Sequence, residues 1–273
     1  MDKVILRLKE RSNIPVEAEA ICPDLFLTKS QQEIEELALY YGNKGRRLGD
    51  FFQVQGERSD NIVIEGEIPN FKKIGQGMSR GNIHIQGDVG MHLGALMKGG
   101  RILVEGNVSD WLGAEMEGGS IRVKGNAGHL VGAAYRGSSR GMRGGEIIVE
   151  GDGGSEVGEL MRRGLIVIGG RAGDFVGAFL IAGTIVVLGP VGLRPGAGMK
   201  RGTIVAFQEP DLLPTFHYNC LCQLSFLRIY LHHLREEDLN IPQEYLGGFY
   251  KRYNGDTLEL GKGEILVWAG QVA

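Results

Sequence analysis

The chain has 273 residues, of which 45 are glycine and only 8 are proline, so glycine occurs at more than twice the usual level of about 7%. The formal net charge of −3 gives no reason to expect a nucleic acid or an anionic membrane as partner. No apolar run approaches the ~18 to 20 residues of a transmembrane helix, and three cysteines without a recognisable signal peptide predict a reducing, cytoplasmic compartment.

Residues 1–60 are predicted to form an α+β cap. Apolar residues alternate over residues 4–8 and 16–21, a pattern typical of short strands. Ser30 followed by Glu33 three residues later forms a capping box, which predicts a short helix through Leu39. Because a stack of repeats needs its terminal unit covered, we expect this segment to close the N-terminal end of the domain that follows.

Residues 61–207 contain a repeat that is marked by three columns of glycine, with a period of 19 residues and a single step of 26. The first column is Gly75, Gly94, Gly113, Gly132, Gly158, Gly177 and Gly196. The second column is Gly81, Gly100, Gly119, Gly145, Gly164, Gly183 and Gly202. The third column is Gly87, Gly106, Gly125, Gly151, Gly170 and Gly189. Such glycines are expected at sharp turns, where φ is positive or neighbouring units approach closely.

Short β-branched runs lie between the second and third columns. Their alternation places one pair of isoleucine or valine side chains per repeat on the inner face, namely Ile83 and Ile85, Ile102 and Val104, Ile121 and Val123, Ile147 and Val149, Ile166 and Ile168, and Ile185 and Val187. Equivalent strands that recur too soon for a helical crossover must stack in parallel. We therefore predict an all-β protein, a right-handed parallel β-helix of seven coils of about 19 residues.

A column of methionines precedes the second glycine column, and it consists of Met78, Met97, Met116, Met142, Met161 and Met199, with Leu180 in one coil. A soft-metal site is one interpretation, but flexible thioethers that fill a corner of the core explain the pattern better. Glycine strings such as residues 75–77 and 169–177 resemble dinucleotide fingerprints. The 19-residue period explains those glycines without a strand-to-helix turn, which such a fingerprint needs.

The single longer coil carries seven extra residues, which fall within the segment of residues 135–143, YRGSSRGMR. It brings Tyr135, Arg136, Arg140 and Arg143 onto one glycine-rich loop, and arginine side chains suit carboxylates. We predict a docking or anion-binding element at these four residues. The alternatives are a solvated loop and arginines that brace neighbouring coils.

Residues 208–273 are predicted to form a C-terminal extension with a helix over residues 224–235 and a hairpin or edge strand pair over residues 257–268. In the later coils the outward strand positions become apolar, with Ile148, Val167, Val186, Leu188, Val205 and Phe207. Such a strip is rarely left exposed, so either the C-terminal helix or a partner subunit is expected to cover it.

A potential zinc site in the extension consists of His217, Cys220, Cys222, His232 and His233. The Cys-x-Cys spacing is not that of a usual zinc knuckle, and adjacent histidines on a helix diverge. We therefore predict no catalytic, cofactor-binding or metal-binding residue in this chain.

Two stretches resemble a known family. Residues 40–57, YYGNKGRRLGDFFQVQGE, and the insertion YRGSSRGMRGG are similar to the C subunit of formylmethanofuran dehydrogenase and of its bacterial counterpart, the formyltransferase/hydrolase complex of methylotrophs. The glycine-punctuated coils are also similar to the C-terminal domain of the glutamate synthase large subunit. The C-terminal run LLPTFHYNCLCQLSFLRIYLHHL favours the bacterial complex.

The resemblance implies a non-catalytic scaffold subunit of a formyl-group enzyme complex, in which other subunits convert formyl-tetrahydromethanopterin to formate by way of formylmethanofuran. It implies the remaining subunits of that complex as partners, and no cofactor of the chain's own. The glutamate-rich tail of methanofuran-type cofactors is a second carboxylate ligand that the arginine loop would suit. The alternatives are the C subunit of an archaeal tungsten or molybdenum dehydrogenase, a nitrogen-metabolism scaffold and a stand-alone β-helix enzyme. The last would need exposed carboxylate pairs that the outward positions lack.

Overall fold

The computed structural model describes residues 3–271, and its regular secondary structure is mostly β-strand, with few helices. The N-terminal strands are β1 (Val4–Leu8), β2 (Val16–Glu17), β3 (Ala38–Tyr41), β4 (Lys44–Arg47) and β5 (Phe52–Gln55). The middle strands are β6 (Asn61–Glu65), β7 (Phe71–Lys72), β8 (Asn82–Gln86), β9 (Arg101–Val104), β10 (Ser120–Val123), β11 (Glu146–Val149), β12 (Leu165–Ile168), β13 (Thr184–Val187) and β14 (Thr203–Ala206). The last strands are β15 (His217–Cys222), β16 (Phe249–Gly255) and β17 (Gly263–Gly270). The helices are α1 (Pro23–Phe26), α2 (Gln31–Glu35), α3 (Leu48–Phe51), α4 (Ser225–Glu236) and a 3-10 helix (Gln243–Leu246).

The strands between the second and third glycine columns form the centre of a 13-stranded sheet, in the order β15-β16-β17-β14-β13-β12-β11-β10-β9-β8-β6-β1-β5. From β6 to β14 every neighbouring pair is parallel and in register, so that Ile121 pairs with Ile102 on one side and with Ile147 on the other. A second sheet has the order β4-β3-β2-β7. The predicted parallel stacking of equivalent strands is thus observed.

Two further rows of backbone hydrogen bonds connect the repeats. One is a series of parallel bridges that links Ile68, Val89, Val108, Ala127, Gly153, Ala172 and Val191. The other joins the first glycine column to the repeat before it, as in the bond from Gly113 N–H to the Leu93 carbonyl at 2.8 Å. Each repeat is therefore held to its neighbours along three separate lines, and the predicted isoleucine and valine pairs lie buried between them.

The glycine columns serve two different purposes. In the first and second columns every glycine has a positive φ, between +59° and +107°. The third column has ordinary φ values except at Gly87, but a Cβ on Gly125 would lie 2.6 Å from the carbonyl oxygen of Gly106 in the preceding repeat. Two columns therefore provide left-handed turns, and the third permits close contact between repeats.

The methionine column lies in the core, as predicted. Its six methionines and Leu180 are all fully buried. A Cβ on Gly119 would lie 2.6 Å from Cε of Met97, so the thioether of one repeat fills the space beneath the second-column glycine of the next. The column is a packing feature of the kind that flexible thioethers suit.

In the N-terminal segment the predicted helix is too long. The capping box is present, with Ser30 N–H donating to Glu33 Oε2 at 2.8 Å, but α2 ends at Glu35. The segment from Ala38 continues as β3, which pairs with β2 and β4 and buries Leu39 completely. The local sequence pattern favours a helix through Leu39, but pairing with β2 and β4 makes this segment a strand.

The C-terminal segment covers the apolar outer strip. From α4 come Leu227, Leu231 and Leu234, which pack in one buried cluster with Ile148, Val167, Val186, Val205 and Phe207 of the repeat strands. Helix α4 is offset by one residue from its predicted range. Of the two predicted ways to cover the strip, the structure uses the chain's own helix.

The strand ladder continues beyond the last glycine repeat, which the sequence pattern did not indicate. Strand β17 pairs in parallel with β14, with Thr203 opposite Glu264, and antiparallel with β16. The hairpin is therefore longer than residues 257–268, and its last strand lies inside the sheet. The edge strand is β15, from the segment with the clustered cysteines.

Candidate docking site at the long repeat

The inserted loop leaves the stack after Ala134 and returns at Gly141. Its return is fixed by two backbone hydrogen bonds, from Gly141 N–H to the Leu160 carbonyl at 2.9 Å and from Met142 N–H to the Gly132 carbonyl at 2.8 Å. Between these points Arg136 and Arg140 are exposed. The loop is a projection whose two ends are held rigidly by the repeats beneath it.

Tyr135 anchors the start of the loop on two aromatic side chains from earlier repeats. Its ring stacks on Trp111 with 5.0 Å between centroids, and its hydroxyl lies 3.0 Å from Nδ1 of His92. Its backbone N–H donates to Glu115 Oε1 at 3.1 Å. His92 and Trp111 both have left-handed backbones, with φ of 64° and 65°, two residues before their first-column glycines. The same corner that needs glycine thus also presents the anchoring aromatic side chains outward.

Tyr135 and His92 are uncharged at neutral pH. Burial raises the pKa of the Tyr135 phenol to about 12, and the nearby Glu115 carboxylate adds to the effect. Burial also lowers the pKa of His92 below its ordinary value, and the positive charges of Lys72 and Lys73 lower it further. Because both groups stay neutral, their hydrogen bond positions the loop and adds no charge to the surface.

The three arginines have different environments. Arg143 Nη2 forms an ion pair with Glu117 Oε1 at 2.7 Å, and its buried Nε has no hydrogen-bond partner within residues 3–271. Arg136 lies near Glu159, where its charge opposes the burial that raises the pKa of that carboxyl. Arg140 has no ion-pair partner in the described part of the chain. Arg136 and Arg140 are thus exposed on the loop, whereas Arg143 contacts the neighbouring repeat, as in the bracing alternative.

Chemically, this arrangement presents two exposed guanidinium groups on a base of stacked aromatic rings. Guanidinium groups form paired hydrogen bonds with carboxylates, and the rigid base reduces the entropy lost on binding. The geometry suits recognition of an acidic surface.

The histidines and cysteines of the C-terminal segment do not converge on one point. Cys222 Sγ donates to the Tyr250 carbonyl at 3.7 Å, and His233 Nε2 lies 2.8 Å from Glu146 Oε1. Within residues 3–271 no group of three or more His, Cys, Asp or Glu side chains could hold a metal ion. In the same range, no helix is long and apolar enough to cross a membrane.

A row of polar side chains was not identified from the sequence. The side chains of Asp88, Asn107, Asn126 and Asp152 each accept a hydrogen bond from a backbone N–H of the following repeat, at 2.6 to 2.8 Å. They follow the third glycine column at the repeat period, so their spacing was a visible signal. They satisfy backbone donors at the corner and lie away from the loop.

The chain is similar to proteins of one motif family and to subunits of formylmethanofuran dehydrogenases. The model of the GXGXG motif family matches residues 50–225. The C subunit of the tungsten-containing formylmethanofuran dehydrogenase 2 of Methanothermobacter marburgensis is 44% identical over 100 residues, which are 35% of this chain and 37% of that protein. The C subunit of the molybdenum-containing formylmethanofuran dehydrogenase 1 of Methanosarcina barkeri is 42% identical over 98 residues, covering 34% and 33%. These matches span little more than a third of the dehydrogenase subunits.

A solved structure is similar over nearly the whole chain. It is the crystal structure of the formyltransferase/hydrolase complex (FhcABCD) from Methylorubrum extorquens in complex with methylofuran. The TM-score is 0.91 and the identity is 37%, with 97% of this chain and 99% of the other chain covered.

Proposed function

Because the chain belongs to the GXGXG family, we propose that it is a scaffold and docking subunit of a formyl-group enzyme complex and has no active site of its own. The observation that carries the proposal is the full-length similarity to a chain of the formyltransferase/hydrolase complex. A match that includes the N-terminal cap and the C-terminal extension indicates the same role more strongly than shared repeats would.

The alternative is the C subunit of an archaeal-type tungsten or molybdenum formylmethanofuran dehydrogenase. It is favoured by the higher identity of 44%, but that identity is confined to about a third of either chain. The formyltransferase/hydrolase assignment therefore comes first. In it, partner subunits in the cytoplasm convert formyl-tetrahydromethanopterin to formate through formylmethanofuran, and this chain holds them together.

The scaffold is proposed to be a right-handed parallel β-helix of seven coils over residues 61–207. Residues 1–60 form its N-terminal cap, and residues 208–273 form the C-terminal extension. The in-register parallel strands and the three rows of hydrogen bonds between repeats support this architecture. A stack of this kind is rigid along its length, which is the property a docking subunit needs.

The long repeat is proposed as a docking element for an acidic surface of a partner subunit. Tyr135 positions the loop, Arg136 and Arg140 make the contacts, and Arg143 holds the base of the loop through Glu117. The seven extra residues lie between Ala134 and Met142 and add no buried apolar side chain to the stack. The proposed role of the loop is therefore contact with another molecule and not packing within this chain.

Purification of the tagged chain from its native host, followed by mass spectrometry, tests the proposal. We expect stoichiometric recovery of subunits with formyltransferase and metal-dependent hydrolase sequence signatures. The chain expressed alone should show neither formyltransferase nor formylmethanofuran-oxidising activity, with or without added metal. Turnover of either substrate by the isolated chain, or its recovery as a free protein, would contradict the scaffold role.

A further inference from the structure

Five exposed cations lie at the corner that carries the second glycine column. They are Lys98, Arg162, Arg163, Lys200 and Arg201, and we name this set the basic ridge. Each lies one to two residues before a second-column glycine, so the repeat period brings them to one edge.

Hydrogen bonds show that the ridge positions stack directly. The N–H of Arg162 donates to the Met142 carbonyl at 2.8 Å, and the N–H of Lys200 donates to the Leu180 carbonyl at 2.8 Å. The N–H of Lys98 makes the equivalent bond to Met78 at 2.8 Å. These positions therefore occupy one line along the stack, at one strand spacing of ~4.8 Å per repeat.

The ridge carries charge that the chain does not neutralise. Within residues 3–271 none of its five side chains has an ion pair, whereas other cations on the same line do. Arg143 pairs with Glu117 at 2.7 Å, and Arg80 lies 3.7 Å from Asp24. Since the whole chain has a net charge of −3, an unpaired basic edge indicates a partner of opposite charge.

A groove of about 510 Å³ runs beside the arginines of the ridge. Its lining includes Gly145, Gly164 and Gly183 of the repeats, Arg162 and Arg163 of the ridge, and Tyr230 and His233 of α4. The carboxylate of Glu146 also lines the groove, where it lies 2.8 Å from His233 Nε2. The three glycines add no side chains to this lining. A regular element of another protein can therefore approach the backbone of the repeats.

We propose that the basic ridge and its groove bind an acidic α-helix of a partner protein, aligned with the stacking direction. The two arginine-bearing corners, at Arg163 and Arg201, are two repeats apart, or ~9.6 Å. Carboxylates at positions i and i+7 of an α-helix lie ~10.5 Å apart on one face. Same-face residues of an extended segment lie ~6.7 or ~13 Å apart, so the helix matches the ridge better.

This inference rests on the proposed function, because it requires a partner subunit. The basic ridge lies beside the arginine loop and is a separate surface. The two are close because the N–H of Gly141, at the end of the loop, donates to the carbonyl of Leu160, which belongs to the repeat that carries Arg162. The loop and the ridge can thus contact one partner from adjacent sides.

Photo-crosslinking in the native host tests the contact. The photoreactive residue p-benzoylphenylalanine replaces Arg163 or Arg201 in the full chain, and it replaces the exposed Arg171 on a different corner as the matched control. We expect adducts from positions 163 and 201 on one helix of the same partner, near carboxylates seven residues apart, and none there from position 171. Adducts on an extended segment, on a second copy of this chain or on a small polyanion would overturn the proposal, as would the absence of adducts.

A charge variant provides an independent test in the reconstituted complex. Arg162→Ala, Arg163→Ala and Arg201→Ala together should weaken association about thirty-fold at low salt, less at high salt. The melting temperature should stay unchanged because no ion pair is lost. The control Lys44→Ala, Arg47→Ala and Arg171→Ala removes the same charge and should assemble normally. Normal assembly of the ridge variant would refute the ridge alone, whereas failure of the wild-type chain to find any partner would refute the proposed function as well.

Discussion

Replacing Gly113 by valine tests the first glycine column. Gly113 has φ of +59°, and a Cβ there would lie 2.5 Å from Cδ1 of Ile147 and 3.4 Å from Cδ1 of Ile121. The substitution therefore imposes two penalties. One is the left-handed backbone of a β-branched residue, and the other is a collision inside a filled core.

The size of each penalty follows from the structure. A left-handed conformation costs an L-residue roughly 1 to 2 kcal/mol, with valine at the upper end. Overpacking costs about 1 to 3 kcal/mol, because Ile147 is fully buried and cannot move into solvent. We expect a loss of about 4 kcal/mol in the free energy of unfolding. At roughly 2 to 4 °C per kcal/mol, the melting temperature should fall by about 8 to 16 °C.

Gly77→Val is the matched control. Gly77 has φ of +68°, but a Cβ there meets no heavy atom within 4 Å. It should lose only the backbone penalty, about 2 kcal/mol. Urea unfolding followed by far-UV circular dichroism, with a check that the slope is unchanged, gives both values. Equal stability of the two variants would refute the claim that the first column is needed for packing as well as for the turn.

Three further predictions concern the loop, its anchor and the covering helix. The double variant Arg136→Ala and Arg140→Ala should leave the melting temperature unchanged and weaken complex assembly in a salt-sensitive way. Addition of Arg143→Ala should also lower the melting temperature, because the ion pair between Arg143 and Glu117 of the preceding repeat is lost. Because the pKa of His92 is lowered in the folded chain, its contribution to stability should be complete above pH 6.5 and disappear as the pH falls through the lowered pKa. In urea titrations between pH 7.5 and 5, His92→Phe should make the free energy of unfolding depend less on pH. The same pH dependence in wild type and variant would contradict the lowered pKa of His92. Leu231→Ala removes a fully buried side chain from the helix that covers the apolar strip and should cost about 2 to 5 kcal/mol, with increased binding of a hydrophobic dye; no change in either quantity would show that the helix is dispensable.

Periodicity made most of the central region predictable. Glycines, methionines and inward isoleucines recur at one spacing, so each column marks the equivalent backbone position in every repeat. The burial of Ile102 and Ile121 and the parallel register follow from that redundancy. The covering of the outer strip was predicted only as two alternatives, because a strip of apolar side chains does not specify its partner.

The non-repetitive ends were harder to predict because their conformation depends on distant partners. Leu39 fits a helix by local pattern, yet it lies in a strand that pairs with neighbours on both sides. Strand β17 joins a parallel partner 61 positions earlier, at Thr203 and Glu264. In the loop, the arginines were visible as a group, but the pairing of Arg143 with Glu117 depends on stacking geometry.

The antiparallel strands at the two ends of the large sheet affect whether further molecules can add to it. A stack of parallel strands presents at each end a template for the next molecule, and a head-to-tail contact that does not close produces fibres. Here the outermost strands, β5 and β15, both run antiparallel to their neighbours, α2 lies against β5, and β15 carries a bulge between Tyr218 and Cys220. Because neither end presents a flat parallel strand to the other end of a second molecule, we expect the sheet not to propagate head to tail into a filament.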